Sequence, residues 1–509
     1  MTSSTVTPLF TGPDWTFSML QTIIDECEKI AVEELELDLY PNQIEIISSS
    51  QMLDAYASIG MPVMYSHWSW GKSFAQNEQS YRKGYQGLAY EIVINSQPCI
   101  SYLMEENSAT MQTLVIAHAA MGHNSFFKSN EFFRQWTDAA GIIDYLVFAK
   151  NYINECEEKY GYQEVEKIID STHALKNYGV DRYKRPAKLS CEQEQTKLAD
   201  LLDHQQQEIN ELWKTLPNKV VASKNVSETE QLESRQKLLN LPEENLLYFI
   251  EKKSPSLKPW QREIVRIVRK ISQYFMPQRQ TQVQNEGWAS FVHYYIMNRL
   301  HEKGLITDGS MLEFIDSHSG VLNQLPYDHK YYSGFNPYAL GFAIYNDIKR
   351  ICQHPTDEDR EWFPDLVDKP WLPELHNAMR NFRDESFIRQ YLSPTVMRDW
   401  RLFAMYSDSD KDHYDITAIH NQRGYKQIRN ALADQYNFGS REPDLQVWDV
   451  ELMGNRHLVL RHTIHNDIPL CKDTPDVLRH LSRLWGYNVS LESYNSTTDE
   501  VVVVHKLFK

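Results

Sequence analysis

The sequence predicts a mainly α-helical protein with a small N-terminal sheet, followed by a small C-terminal α+β domain. Three observations carry that prediction. Long stretches between residues 14 and 405 have helical patterning, with breaks at Pro and Gly. Short β-type runs lie before residue 105, and the last hundred residues alternate or are β-branched, as strands are.

Residues 14–36 read as an amphipathic helix that ends before "DLYP". "QIEIIS" (43–48) reads as a short strand. "GLAYEIVINSQPCISYLM" (87–104) reads as two strands around the turn signal Asn95-Ser96-Gln97-Pro98. A helix follows from about Ala109 and carries "IAHAAMGHNSFF" (116–127). Further helices are expected over 138–160, over 163–177 with a stop near Gly179, and on either side of Pro277, the second ending at Gly304. From Cys191 to Leu241 the composition turns polar, which reads as an exposed helical insertion. "LQVWDVEL", "HLVLRHTI", "NVSLESY" and "EVVVVHKLF" read as strands, with "TPDVLRHLSRLWGY" as a helix among them. The expected division is an N-terminal part of the main domain (1–190), the polar insertion (191–241), the rest of the helical main domain (242–407) and the α+β domain (408–509).

The 509 residues have ordinary globular composition, 42% hydrophobic and 24% charged. A net charge of -17 argues against general nucleic-acid binding, which needs clustered Lys and Arg. The first twenty residues lack the basic start and apolar centre of a secretory signal. The longest uncharged run, 107–127, includes Gln112, His118, His123 and Asn124, so it reads as a buried helix and not a membrane span. The six cysteines are scattered with no C-x-x-C pair, which favours reduced thiols in the cytoplasm.

"HAAMGH" poses the chemical question. Five residues of a straight α-helix turn about 500°, which leaves His118 and His123 roughly 140° apart. A ligand pair normally needs i, i+4 spacing. A π-bulge absorbs one extra residue, and Gly122 is where the backbone deforms at least steric cost. The alternative is a pair of core histidines satisfied by hydrogen bonds. In "QNEGWASFVHYY" (284–295), Glu286 and His293 are seven apart, so they differ by only about 20° around a helix. Ala289 and Ser290 between them leave room for an ion or a close partner. Gly287 costs a helix roughly 1 kcal/mol relative to Ala, which suggests close packing. The alternative here is a buried Glu–His hydrogen bond.

The chain resembles the SpoVR family, stage V sporulation protein R and its relatives in bacteria that do not sporulate. The resemblance runs through "GPDWTF", "YPNQIEII", "LAYEIVINSQPCISYLMEEN", "AHAAMGHNSFFK", "NYGVDRYKRP", "QTQVQNEGWASF" and "FNPYALGFAIYNDIKRI". It implies a cytoplasmic protein tied to spore cortex formation in spore formers, and elsewhere to stationary phase and stress. A serine kinase and a von Willebrand-type protein are the partners implied by that association.

A fainter likeness is to gluzincin-type zinc peptidases, which carry His-Glu-x-x-Pro-Gly-His on one helix and Glu-Gly-Trp-Ala on a later one. Glu286-Gly287-Trp288-Ala289 matches the second motif, and residues 118–123 look like a shortened first motif. This likeness implies a zincin-like fold and a divalent metal, zinc or alternatively iron, held by His118, His123 and Glu286. The strands before residue 105 would then be an edge along which an extended substrate lies. Ala119 stands where those enzymes have their water-activating glutamate, so another carboxylate substitutes or the site does not cleave peptides.

Glu91 is the candidate replacement, with a structural strand glutamate as the alternative. Asp144, an acid in an apolar run, is a candidate to orient a ligand histidine, or else a partner for Lys or Arg. His293 is a candidate fourth ligand or transition-state donor. Tyr338 is a candidate oxyanion donor, in a chain with 29 tyrosines, and His318 is a weaker candidate. "SHWSWGKSF" (66–74) offers rings that could stack on sugars or simply pack in the core. "DRYKRPAK" (181–188) is a compact basic loop. Three functions remain open: an atypical metal-dependent hydrolase, a regulatory protein with a structural metal site, and a non-haem iron protein.

Overall fold

A computed structural model describes residues 7–58, 60–83, 90–182, 196, 199, 228–326, 329–407, 414–451, 454–464, 468–498 and 500–507. The fold is mainly helical, with a three-stranded sheet near the N-terminus and a sheet domain at the C-terminus. Contacts divide the chain into two compact units, residues 1–151 with 277–437, and residues 152–276 with 438–509.

The first unit holds the N-terminal sheet, β1 (Asn42–Ile47), β2 (Glu91–Ile94) and β3 (Cys99–Met104), in the order β1-β3-β2. β1 runs parallel to β3, and β2 antiparallel to it, with Glu91 opposite Leu103. Four of the six residues of the central β3 are buried, whereas β2 forms an edge. After β3 the Ser108 hydroxyl accepts the Met111 N–H and starts a helix at Ala109. That helix is α-helical over Ala109–Val115, π-helical over Ile116–His123 and α-helical again over Asn124–Ser129. Every residue from 109 to 127 is buried, which accounts for the long uncharged run.

Helix Gln282–Glu302 lies across this element. Its first turn is capped from outside: the Asp384 carboxylate accepts the N–H groups of Val283 and Gln284 at 3.0 and 2.9 Å. A β-carbon built on Gly122 would stand 2.6 Å from the Ala289 Cα, and one on Gly287 would stand 2.3 Å from the Gly341 Cα. The helix is therefore held backbone-to-backbone on both sides, by the π-helical segment and by helix Pro337–Gln353. Trp288 fills the core between them and donates its indole N–H to the Ser125 hydroxyl at 2.9 Å. This packing explains the small residues of "EGWAS": the space beside Ala289 is taken by Gly122. The unit also contains an antiparallel pair, β4 (Ala404–Ser407) and β5 (Tyr414–Ala418).

The second unit contains β6 (Asp444–Val450), β7 (Leu458–Ile464), β8 (Val489–Asn495) and β9 (Glu500–Leu507), in that order. β7 and β8 are parallel, and helix Thr474–Trp485 makes the crossover between them. Pro475 opens that helix, and Gly486, at φ 92°, ends it.

Two expectations are corrected. The division does not fall at 408: residues 414–437 pack with the first unit, where Ile428 and Leu432 join the core containing Phe387 and Tyr391. Residues 152–276 belong instead with the C-terminal sheet, where Phe249 stacks on Trp485 at 5.9 Å. Pro277 does not separate two helices. Helix Pro259–Gln280 runs through it and the break comes at Thr281, because a proline so near the helix end forfeits only one late backbone bond. Of the expected insertion, residues 191–227 other than 196 and 199 lie outside the described residues, and Glu228–Leu239 is a helix. The basic loop lies outside them beyond Arg182. Trp68 and Trp70 stand in helix Trp68–Arg82, where Trp68 is exposed and Trp70 is half-buried.

Candidate metal centre

The π-helical segment resolves the spacing problem. Where N–H groups bond five residues back instead of four, residues five apart become neighbours on successive turns. His118 and His123 therefore lie together, with ring centroids 4.6 Å apart and planes at 89°. Glu286 meets both from the facing helix: its Oε2 is 3.8 Å from His118 Nε2 and 3.5 Å from His123 Nε2. The three residues offer ligand atoms within 4.8 Å of one another, a group that can hold a metal ion. Two ligand atoms each about 2.0–2.2 Å from one tetrahedral ion stand roughly 3.4 Å apart, close to the spacing found.

The back of each imidazole is committed. His123 Nδ1 is 2.9 Å from the Asn285 side-chain oxygen, so this nitrogen donates and Nε2 is left as an acceptor facing Glu286. His118 Nδ1 is 2.8 Å from His293 Nδ1, and His293 Nε2 is 2.8 Å from His318 Nδ1. Three imidazoles thus form a hydrogen-bonded chain behind the site. Glu286 Oε2 is buried and has no hydrogen-bond partner, the kind of orphaned oxygen that a cation would satisfy.

Glu91 stands beside the group. From edge strand β2 its Oε1 comes within 3.8 Å of His118 Nε2. The Tyr338 ring stacks on His118 at 6.1 Å, and burial, with the Glu286 charge, pushes its hydroxyl up. Asn336 caps the Tyr338 helix and Pro337 opens it, which fixes where that ring enters. A cavity of about 750 Å³ reaches Glu91, His118, His293 and Tyr338. Among the described residues, its lining includes Glu91 and Asp316 and no Lys or Arg side chain.

Burial and mutual interaction shift every ionisable group here. Among the described residues, the ion-pairing partners of Glu91 and Glu286 are histidines. Burial pushes the Glu91 carboxyl up, His118 draws it down, and the net direction is upward. Burial also pushes Glu286 up, but His123, His118 and Tyr338 outweigh it and hold its carboxylate below the usual range. Burial depresses His118, and the two carboxylates reverse this, leaving it raised. Burial lowers His123 to about 4. His293 lies well below its ordinary value through burial and neighbouring histidines, and His318 falls to about 4 for the same reasons.

Sequence reasoning and the structure agree in bringing His118, His123, Glu286, Glu91 and Tyr338 into one neighbourhood. They differ on two residues. Asp144 is exposed in the first turn of helix Ile142–Tyr160, and the residue orienting His123 is Asn285. A helix that starts at Ile142 turns the acid toward solvent and buries Ile142 and Leu146 instead. His293 has both ring nitrogens against other histidines, which suits the supporting place over that of a fourth ligand. Asn285 escaped notice, although its place directly before Glu286 in "QNEGWA" was the available signal.

The family model for SpoVR like protein matches residues 14–441, and that for the SpoVR-like C-terminal domain matches residues 443–496. An uncharacterized protein, YcgB of Escherichia coli (strain K12), is 55% identical over 489 residues, covering 96% of this chain and 94% of that protein. No solved structure matches. Among the described residues, no helix is long and apolar enough to cross a membrane.

Proposed function

The chain belongs to the SpoVR family, and from that premise we propose that it is an atypical metal-dependent hydrolase with a zincin-like site. His118, His123 and Glu286 hold the ion, zinc being the metal best suited to two imidazoles and one carboxylate. The observation that carries the reading is the cavity of about 750 Å³ that reaches His118, Glu91 and Tyr338. A structural metal site is closed by its ligands, whereas a catalytic one keeps an open position. A divalent ion there would supply Lewis acidity toward a substrate oxygen and a water.

The remaining work falls to the chain's own groups. Glu91 replaces the glutamate missing at Ala119: its carboxylate, beside His118 and raised by burial, accepts a proton from the attacking water. The Tyr338 hydroxyl donates a hydrogen bond to developing negative charge. With His118 Nδ1–H donating to His293 Nδ1 and His293 Nε2–H to His318 Nδ1, the His118 tautomer would be fixed and its Nε2 left with a lone pair for an ion. Edge strand β2 brings Glu91 to the site and offers an extended substrate a backbone to lie along. Glu91 and Asp316 face the cavity with no Lys or Arg among the described lining residues, which suits a neutral or cationic substrate over an anionic one. The cellular setting in this reading is the cytoplasm, in stationary-phase or spore-cortex physiology, with the serine kinase and the von Willebrand-type protein as partners.

The same donor set suits non-haem Fe(II), and the absence of an acid at residue 119 favours that second reading over an ordinary peptidase. The test is Glu91→Gln in a strain whose own copy of the gene is deleted. The variant should fold, keep its metal and fail to restore the lost phenotype. Full complementation by metal-replete Glu91→Gln would remove the replacement base and leave a structural or regulatory site.

A further inference from the structure

A second cavity, of about 420 Å³, lies in the first unit among helices Asp357–Trp362, Asp384–Tyr391 and Gln422–Asp434. In a chain of net charge -17, its described lining residues include three cations, Arg389, Lys426 and Arg429, against one carboxylate, Glu361. Lys426 and Arg429 share a face of helix Gln422–Asp434, one turn apart.

The cations differ in how far they are already committed. Arg389 is satisfied: it donates to Glu385, Asp434 and the Asn430 side-chain oxygen. Arg429 is not. Its Nε–H donates to the Leu392 carbonyl at 2.8 Å, and its guanidinium lies 4.8 Å from the Trp362 ring centroid and 5.5 Å from that of Phe363. Its Nη2 is buried without a hydrogen-bond partner. No carboxylate among the described residues pairs with it, whereas Arg350, Arg299 and Arg269 each meet one. Burial lowers Arg429 to about 10, in keeping with a charge that lacks its counter-ion. Lys426 is exposed, 5.9 Å from the same Trp362 ring, and also has no carboxylate partner among the described residues. The Glu361 carboxylate is partly occupied, accepting the Gln422 amide. Among the described residues no acceptor is taken by the Asn430 amide nitrogen, a neutral donor beside Lys426 and Arg429.

We propose that this cavity is an anion site that takes the phosphate group of a small molecule between Lys426 and Arg429. Two uncommitted positive charges match a dianion better than a single carboxylate. The volume suits a small ligand. The inference stands independently of the metal centre.

The test is calorimetric titration of the full chain with inorganic phosphate at low salt, run with and without a chelator so that phosphate on a bound metal is recognised. Saturable binding in the millimolar range or tighter, unchanged by the chelator, is expected. Lys426→Glu, an exposed substitution that should not disturb folding, should weaken it at least about tenfold. Arg429→Met, which keeps the packing on Trp362 but gives up the hydrogen bond to the Leu392 carbonyl, should weaken it similarly while the helical signal persists. Chloride at matched ionic strength should give no saturable heat. No phosphate binding up to about 20 mM, binding that vanishes with the chelator, or undiminished binding by Lys426→Glu would overturn the proposal.

Discussion

Replacing Gly122 by alanine sets two physical effects against each other. Helix propensity alone says that Gly→Ala stabilises by about 1 kcal/mol. The structure says otherwise. The new methyl would stand 2.6 Å from the Ala289 Cα and 2.9 Å from its Cβ, where carbon atoms ordinarily rest about 3.5–4.0 Å apart. The nearest atom is backbone, so no side-chain rotation relieves the contact, and the two helices must part by about 1 Å. Overpacking of this kind costs about 1–3 kcal/mol, enough to reverse the propensity gain. Separation also draws Glu286, three residues before Ala289, away from His118 and His123. Gly122→Ala should therefore have a lower denaturant midpoint than the parent and hold less metal. Adding Ala289→Gly removes the 2.9 Å contact but leaves the 2.6 Å one, so it should recover only part of the loss. Equal or greater stability of Gly122→Ala, with metal content intact, would refute the close-approach argument.

Two further outcomes follow from the surroundings of the site. In metal-free protein His318 titrates near 4 when folded and near 6.5 when unfolded. The unfolded state then binds more protons, so stability should fall by up to about 3 kcal/mol as pH drops from 6.5 to 4. His123 acts in the same direction, while the raised His118 opposes it; denaturant midpoints at pH 7 and pH 5 for the parent and His318→Gln measure the difference, which should shrink in the variant. Asp384→Ala leaves the N–H groups of Val283 and Gln284 without their acceptor, which should cost about 1–3 kcal/mol and speed amide exchange in the turn before Glu286.

Much of this arrangement is legible in the sequence, for identifiable reasons. Five-residue spacing forbids a shared face on a straight helix, so "HAAMGH" had to be either a distorted helix or a pair of unrelated histidines. The distortion is larger than a single bulge: the whole of Ile116–His123 is π-helical. The glycine in "EGWA" marks a close approach, but nothing in the sequence names Gly341 as its partner, because a helix crossing joins residues 54 positions apart. Asn285 takes the part expected of Asp144. An apolar neighbourhood in sequence suggested that Asp144 was buried, while the start of its helix turns it outward. The division of the chain was the least legible feature. Phe249 packs on Trp485, 236 positions later, and Glu243 pairs with Val447, 204 positions later; local patterning carries no record of such pairings.

The central claim is that His118, His123 and Glu286 hold one ion. It is tested most directly by metal analysis of the full chain, purified without a histidine tag, alongside His123→Ala and Glu286→Gln. The account predicts about one equivalent of zinc or iron per chain in the parent, and a loss of at least tenfold in both variants while their helical signal persists. A parent protein that carries no metal and takes up neither ion when supplied would contradict it, as would variants that bind as the parent does.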